Sequence, residues 1–328
     1  MRTTNLLGTT VFALLGLVAA ALPGEARGIK FGHVGEPGSL FEASVNEFAR
    51  RANERLPEGW KVVAFGSSQL GGDKEMLQKL KLGTVDLALP STVMSTEVPE
   101  FGLFEMPYLV KDREHMKRIA DAIFWPVLAP AAEAKGYRIV GLWENGFRHI
   151  TNNVRPIATP DDLKGIKLRV PQGAWRVKMF QAYGANPTPL AFSEVFVALQ
   201  TGVIDGEENP LAQIASAKFQ EVQKYLSLTG HVYTPAYVTA GRSWGQFPAE
   251  VQKTLKDAAA ETQAYVYETA ARMDKELLEQ LKAGGMRVNE PDKQAFIKAS
   301  APVYEEFGQE VQGGKQLVEK AQSLATGS

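Results

Sequence analysis

Two side chains in one stretch of this sequence are placed to hold an anion. Residues 165–171 read Gly-Ile-Lys-Leu-Arg-Val-Pro, with Ile166, Leu168 and Val170 alternating with Lys167, Arg169 and Pro171. That period of two predicts a half-buried strand with Arg169 off its apolar face, near the C-terminal end. Val203-Ile204-Asp205-Gly206 reads as a second short strand ending in a turn that carries Asn209, ahead of Pro210. Ligands of open α/β sheets bind beyond the carboxyl ends of strands. A guanidinium and an amide are therefore expected side by side in one crevice. The guanidinium is a planar fork that matches a carboxylate, and the amide adds a donor and an acceptor. Together they suit an organic acid. The plainer alternative is a solvated arginine at a strand end and an asparagine that only stabilises a turn.

Other chemistries find little support. The chain has no Gly-X-Ser-X-Gly elbow, no His-Glu-X-X-His and no phosphate loop. Adjacent acids Asp161-Asp162 and Glu207-Glu208 cannot both face one substrate from a regular element, and read as cap and turn residues. Four histidines and no cysteine argue against a zinc site, and no cofactor is expected. With 36 basic and 37 acidic residues in 328, nothing suggests nucleic acid or an anionic membrane surface as partner.

Arg2 precedes an apolar run from Leu6 to Leu22, then Pro-Gly-Glu-Ala-Arg. This reads as a signal peptide over 1–26, cleaved after Ala26 or Ala21, and it predicts a periplasmic protein. An uncleaved anchor is the rival, since the run is near the lower limit for spanning; its Ala, Gly and Thr content favours removal.

The elements that must position the pair follow from periodicity. Strands at 29–34, 60–65 and 85–90 alternate with helices, one capped by Ser39 with Phe41, Val45, Phe48, Ala52 and Leu56 on its apolar face, the other over 73–82. This β-α-β-α-β order predicts a mostly parallel sheet covered on both faces. A helical pattern over 114–135 is expected to break or kink near Pro126 and Pro130, before a strand at 138–143. Thr159-Pro160 starts a short helix. Helices are expected at 174–183, 191–200 and around 211–225, and a strand at 237–240 should return to the first sheet. From Pro248 to Ala283 no proline or glycine interrupts a helical pattern roughly 54 Å long.

Several motifs in one order carry a further signal: Gly-Ser-Ser-Gln-Leu-Gly at 66–71, Gly-Thr-Val-Asp-Leu at 83–87, Asn-Gly-Phe-Arg at 145–148, Asn-Pro-Thr-Pro at 186–189, Phe-Ser-Glu-Val at 192–195 and Phe-Gln-Glu-Val-Gln-Lys-Tyr at 219–225. From about Lys30 to beyond Glu310 the chain resembles the solute-binding proteins of TRAP transporters, the tripartite ATP-independent periplasmic importers. The resemblance implies an α/β, two-lobed periplasmic-binding-protein clamshell (type II-like) with a long helix spanning both lobes. Lobe I is placed at 27–147 plus 234–273, and lobe II at 148–233 plus 274–328. It implies a monomeric, non-enzymatic binder that hands a small organic acid to one small and one large membrane subunit. A ligand-sensing module for a receptor would share the fold; an exported hydrolase or lyase is the remaining alternative.

By the same resemblance Arg169 forms the salt bridge with the substrate carboxylate, Asn209 contacts the ligand and Arg148 reaches the carboxylate or a second polar group. Phe192 packs against the bound acid. The cleft is expected to be lined by 88–95, including Ser91, by 143–148 and by 169–172, where Gln172 can touch substrate. His33, Glu36 and Trp143 could bind or stack on a sugar acid; Trp143, Trp175, Phe65 and His33 could each be a pocket wall, with packing the favoured role for each. Glu144 is expected to pair with Arg148. The sialic-acid branch has a glutamate and an arginine where this chain has Ser91 and Met94, which argues against sialic acid. A C4-dicarboxylate, a uronate, a 2-oxo or hydroxy acid, or an aromatic acid remains open.

Overall fold

A computed structural model describes residues 27–325, so the expected leader at 1–26 lies outside the described residues. The chain opens as β1 (Arg27–Gly32), α1 (Leu40–Asn53), β2 (Trp60–Phe65), α2 (Asp73–Leu82) and β3 (Leu87–Ala88). Ser39 caps α1, its hydroxyl accepting from the Glu42 N–H at 3.1 Å, while Phe41, Val45, Phe48 and Ala52 are buried. β3 is two residues long, shorter than the expected run. Pro90 has no N–H to extend the ladder, and the chain passes into 3₁₀ turns at Thr92–Thr96 and Pro99–Glu105.

Next come α3 (Arg113–Ile119), a π-helical segment (Ala120–Leu128) and α4 (Ala129–Ala134). Pro126 lies inside the π segment. Proline lacks an N–H and clashes with the carbonyl four residues back; the wider π turn accommodates it, so the helix is carried through where a break was expected. The chain continues as β4 (Arg138–Phe147), β5 (His149–Asn152), β6 (Lys167–Val170), α5 (Ala174–Ala182), β7 (Asn186–Pro189), α6 (Val195–Gln200), β8 (Gly206–Asn209), α7 (Leu211–Ser216), β9 (Tyr225–Ser227) and β10 (Tyr233–Ala240). It ends with α8 (Ala249–Ala283), β11 (Arg287–Asn289), α9 (Lys293–Ala299), α10 (Ala301–Glu310) and α11 (Gly314–Ser323).

Two sheets result, ordered β2-β1-β3-β10-β4 and β11-β9-β5-β8-β6-β7. In the first, β1 runs parallel to β2 and β3, and β10 antiparallel to β3 and β4. In the second, β6 is parallel to β7 and β8, and β5 antiparallel to β8 and β9. This is an α/β clamshell of two lobes. The chain crosses between them from β4 to β5 and again from β9 to β10. These crossings lie side by side: Phe147 pairs with Tyr233, and the Arg148 N–H donates to the Val232 carbonyl at 2.9 Å. α8 makes a third link, packing on α1 and β4 and, further along, on α7.

Two local expectations are corrected. The strand read at 203–206 lies at 206–209, so Asn209 ends a strand and not a turn. Val203 is exposed, whereas Glu207 and Glu208 are buried; an acidic pair looks like surface until its partners are known. Trp143 is core, its Nε1 donating to the Ala259 carbonyl at 3.0 Å and its ring packed with Phe31 and Phe48. Finally, α11 packs on the 99–105 turn and the π segment, with the Ala321 carbonyl 2.8 Å from His115 Nε2. The last helix packs chiefly on α10 and reaches these first-lobe elements as well, contacts that the lobe II placement alone does not anticipate.

β8 lies so close to β5 that a Cβ on Gly206 would sit 2.3 Å from the Thr151 carbonyl oxygen. Backbone cannot yield as a flexible side chain can, so Gly206→Ala should destabilise by about 1–3 kcal/mol. Urea unfolding monitored by circular dichroism checks this, and an unchanged midpoint would contradict the close β5–β8 pairing.

Candidate functional site

The alternation of β6 buries Leu168 and Val170 and sends the Arg169 side chain along the loop after β7. Its Nε and Nη2 both donate to the Leu190 carbonyl, at 3.1 and 2.8 Å. Nη1 has no hydrogen-bond partner among the described residues. Burial lowers the Arg169 pKa to about 10, against the pull of Glu207, so the side chain remains a cation at neutral pH. It faces a narrow cavity of about 30 Å³ between the lobes, lined also by Asp73, Ser91, Arg148, Phe192 and Asn209. A larger groove of about 520 Å³, with Lys111, His149 and Lys293 among its walls, lies behind the crossing strands and holds neither Arg169 nor Asn209. The chemistry assigns the site to the smaller cavity.

β8 supplies acids to both of its faces, as successive strand residues must. Glu207 accepts from Thr151 Oγ1 at 3.0 Å and from the Asn209 amide. Burial raises its pKa to about 7, with Asn209 and Arg169 opposing. Glu208 points the other way and accepts from Arg148 Nε at 2.5 Å, Arg176 Nη1 at 2.7 Å and His231 at 2.9 Å. Burial opposes its charge, but Arg148 and Arg176 outweigh that and hold its carboxyl well below the usual range. Arg176 also reaches Glu105 at 2.8 Å, across from the first lobe. Burial lowers the His231 pKa to about 4. A neutral His231 must therefore carry its proton on Nε2 to donate to Glu208, leaving Nδ1 to accept from Thr229 Oγ1 at 2.8 Å.

The structure thus brings Arg169, Asn209, Arg148, Ser91 and Phe192 to one cavity. Arg148 is there with its Nε and Nη2 taken by Glu208 and its Nη1 left without a hydrogen-bond partner among the described residues. Trp143 is absent from the cavity, for the packing reason above. His33 is buried beneath the neighbouring Gly66, where a Cβ would lie 2.8 Å from its ring; only the next residue, Val34, reaches the cavity wall. Glu36 lines a separate groove with Phe196 and Lys218. Gln172 does not line the cavity, although Pro171 beside it does. Glu144 pairs with Arg113 at 2.6 Å and accepts from the Tyr233 hydroxyl at 3.2 Å, not from Arg148. Trp175 stacks edge-on against Phe307, Phe65 is absent from the cavity lining, and Met94 is core.

Sequence reasoning missed Asp73 and Gln213 as cavity residues, while Thr92 and Asn145 fall in the stretches expected to line the cleft. Asp73 reads as an ordinary acid at a helix start; its position after Gly71-Gly72, which lets the helix begin close to the cleft, was the one available signal.

Residues 31–310 match the family model described as bacterial extracellular solute-binding protein, family 7. The chain belongs to that family. It is 33% identical to the sialic acid-binding periplasmic protein of Vibrio cholerae over 99% of this chain and 100% of that protein. Among solved structures, a TRAP periplasmic solute-binding protein from a Polaromonas species, bound to D-erythronate, is similar at TM-score 0.87 and 35% identity, covering 92% of this chain and 99% of that one. One from Sulfurospirillum deleyianum with bound succinate gives 0.86 and 33%, covering 90% and 98%. The family is one of solute binders, and its members take both sugar acids and dicarboxylates.

Burial lowers His33 and His231 to about 4 and His149 to about 3. The unfolded chain takes these protons from about pH 6.5 downward while the folded chain does not, so this set costs stability as pH falls. Burial raises Asp73, Glu105 and Glu207 to about 7; the folded chain holds those protons longer, and that set costs stability as pH rises toward 7. The two oppose each other, so the melting temperature should vary little between pH 5 and 6.5. Nitrogen-detected NMR should find all three imidazoles neutral at pH 5.5; a midpoint near 6.5 for His231 would contradict the sealed Glu208 cluster.

Proposed function

We propose that this protein is the periplasmic solute-binding component of a TRAP transporter. It captures a small organic acid through an Arg169–carboxylate salt bridge and delivers it to the small and large membrane subunits. The observation that carries this reading is the Arg169 fork. It is buried, charged, braced on the Leu190 carbonyl, and has Nη1 left over at a cavity between two lobes. A carboxylate at that edge gains charge-assisted hydrogen bonds and neutralises a cation whose burial is otherwise unfavourable. Asn209, fixed by its bond to Glu207, supports the carboxylate from the neighbouring strand.

The leader at 1–26 is removed on export, and the lobes, 27–147 with 234–273 and 148–233 with most of the remainder, close about the crossing strands. The ligand shifts the balance toward the closed form because only there does it touch both lobes. The family is one of solute binders, and on this reading the protein acts by binding alone.

Isothermal titration with a panel of organic acids tests the proposal. Arg169→Ala should weaken the acid that binds best by about a hundredfold, about 2.7 kcal/mol, with the empty protein's melting temperature nearly unchanged. Undiminished titration heat would remove Arg169 from the site. A ligand at a hundred times its Kd should stabilise the wild type by about 2.7 kcal/mol; a thermal scan in which no acid raises the melting temperature would count against carboxylate capture altogether.

A further inference from the structure

The cavity holds polar atoms that its neighbours leave unsatisfied, and they are mostly of one kind. Asp73 Oδ1, Thr92 Oγ1 and Gln213 Oε1 are buried without a hydrogen-bond partner among the described residues, and all three residues line the cavity with Arg169.

The direction of the Gln213 amide follows from its neighbours. Ser91 has one hydroxyl proton and gives it to the Pro235 carbonyl at 2.6 Å, so its oxygen can only accept, from the Asn145 amide at 3.3 Å. Asn145 thus turns its NH₂ to Ser91 and its oxygen to Gln213, which must answer with Nε2, at 3.4 Å. The atom of Gln213 left unpaired is an acceptor, by deduction from the network and not from the amide's assigned orientation alone. Asp73 is an acceptor whenever ionised. Burial pushes its pKa to about 7, while the charges of Arg169 and Arg148 pull it down. On the donor side Arg148 gives Nε and Nη2 to Glu208 and is charge-paired there, whereas Arg169 has no carboxylate partner among the described residues; each guanidinium has its Nη1 left over. Two cationic Nη1 groups, one on each guanidinium, therefore confront two acceptors and a hydroxyl.

A dicarboxylate brings acceptors at both ends. One end suits Arg169 with the Nη1 of the adjacent Arg148, whose charge acts on it; the other meets Asp73 and Gln213 with no proton to share, and with like charge. A plain fatty acid satisfies Arg169 and leaves the buried acceptors dry. A site that hydrogen-bonds a ligand hydroxyl rejects analogues lacking it far more strongly than a greasy pocket rejects a wrong size. We infer that the ligand is a hydroxylated monocarboxylic acid of the aldonate or uronate type, with a hydroxyl donating to Asp73, and that Asp73 is the residue that excludes dicarboxylates. This rests on the Arg169–carboxylate reading and adds a specificity residue from the opposite lobe.

Titration calorimetry at pH 8, where Asp73 is ionised, tests it with acids matched at four and six carbons. These are erythronate and galactonate, succinate and adipate, butyrate and hexanoate, each with wild type, Asp73→Asn and Arg169→Ala. In the wild type the better hydroxy acid should bind at least a hundredfold tighter than either dicarboxylate or fatty acid. Asp73→Asn should weaken that hydroxy acid tenfold or more and improve succinate or adipate, because the amide offers a donor where the carboxylate repelled. A gain for the dicarboxylate cannot come from misfolding. If a dicarboxylate matches or beats the hydroxy acids in the wild type, or if Asp73→Asn leaves the ratio unchanged, this inference falls while Arg169 can stand. If Arg169→Ala binds the hydroxy acid as the wild type does, the carboxylate reading falls. If none of the six binds the wild type, both fall.

Discussion

The Glu208 carboxylate is the point on which the rest of this structure turns. A carboxylate sealed inside protein is tolerable only when paired and fully hydrogen-bonded, and Glu208 meets both conditions through Arg148, Arg176 and His231. Those partners come from the first crossing between lobes, from the helix after β6, and from the second crossing just before β10. One side chain thereby ties both crossings to the strand that carries Asn209. Through Arg176 the link extends to Glu105 on the first lobe. Taking away one partner of such a group costs about 3–5 kcal/mol, because a charge is stranded. The cluster also settles a question of roles. Arg148 lies on the cavity wall charge-paired with Glu208 through Nε and Nη2, which leaves Arg169 as the cation there without a carboxylate partner among the described residues.

The fold was legible where burial follows apolar periodicity. Ser39 and the helix it caps, the alternating strand at Arg169, and the uninterrupted helix from Ala249 to Ala283 all appear where residue pattern puts them. It was illegible where buried polar residues break that pattern. β8 reads Gly-Glu-Glu-Asn and is wholly buried, yet periodicity places a strand three residues earlier, on Val203 and Ile204. Short strands such as Asn186–Pro189 and Arg287–Asn289 exist because a neighbouring edge accepts them, a cause that lies outside their own residues. The π turn at Pro126 is of the same sort: the sequence announces a missing N–H, and the surrounding packing decides whether the helix breaks or widens.

The site divides along a similar line. Arg169, Asn209, Arg148, Ser91 and Phe192 come together at one cavity, and motif likeness pointed to each of them. Trp143 was proposed for its ring, but three-dimensional neighbours claim that ring for the core. Glu144 sits four residues from Arg148, a spacing that regular alternation would put on one face, but a register shift beside Asn145 and the left-handed Gly146 break the strand between them, and the two are drawn to different partners. Asp73 and Gln213 escaped notice because nothing local marks them. Their significance is relational: each has atoms that the fold leaves short of partners or holds in a chain with others.

Charge placement across the cleft explains how such a molecule can close on a ligand without closing as firmly when empty. Asp73 stands on the first lobe and Arg169 on the second, and the field of one acts on the other. They attract, but no direct bond joins them, and each loses solvent as the lobes approach. Closure without ligand therefore gains a partly screened attraction while bearing the desolvation of two ions. A bound acid changes both sides of that balance. In the proposed complex its carboxylate would supply Arg169 with the partner that Asp73 is too far away to be, and a hydroxyl would give Asp73 the proton that Arg169 does not. The closed form is favoured by the difference between those two states. A ligand can shift a conformational equilibrium only by the extent to which it binds one form better than the other. Groups left unpaired on opposite lobes are the physical means by which that difference is made large.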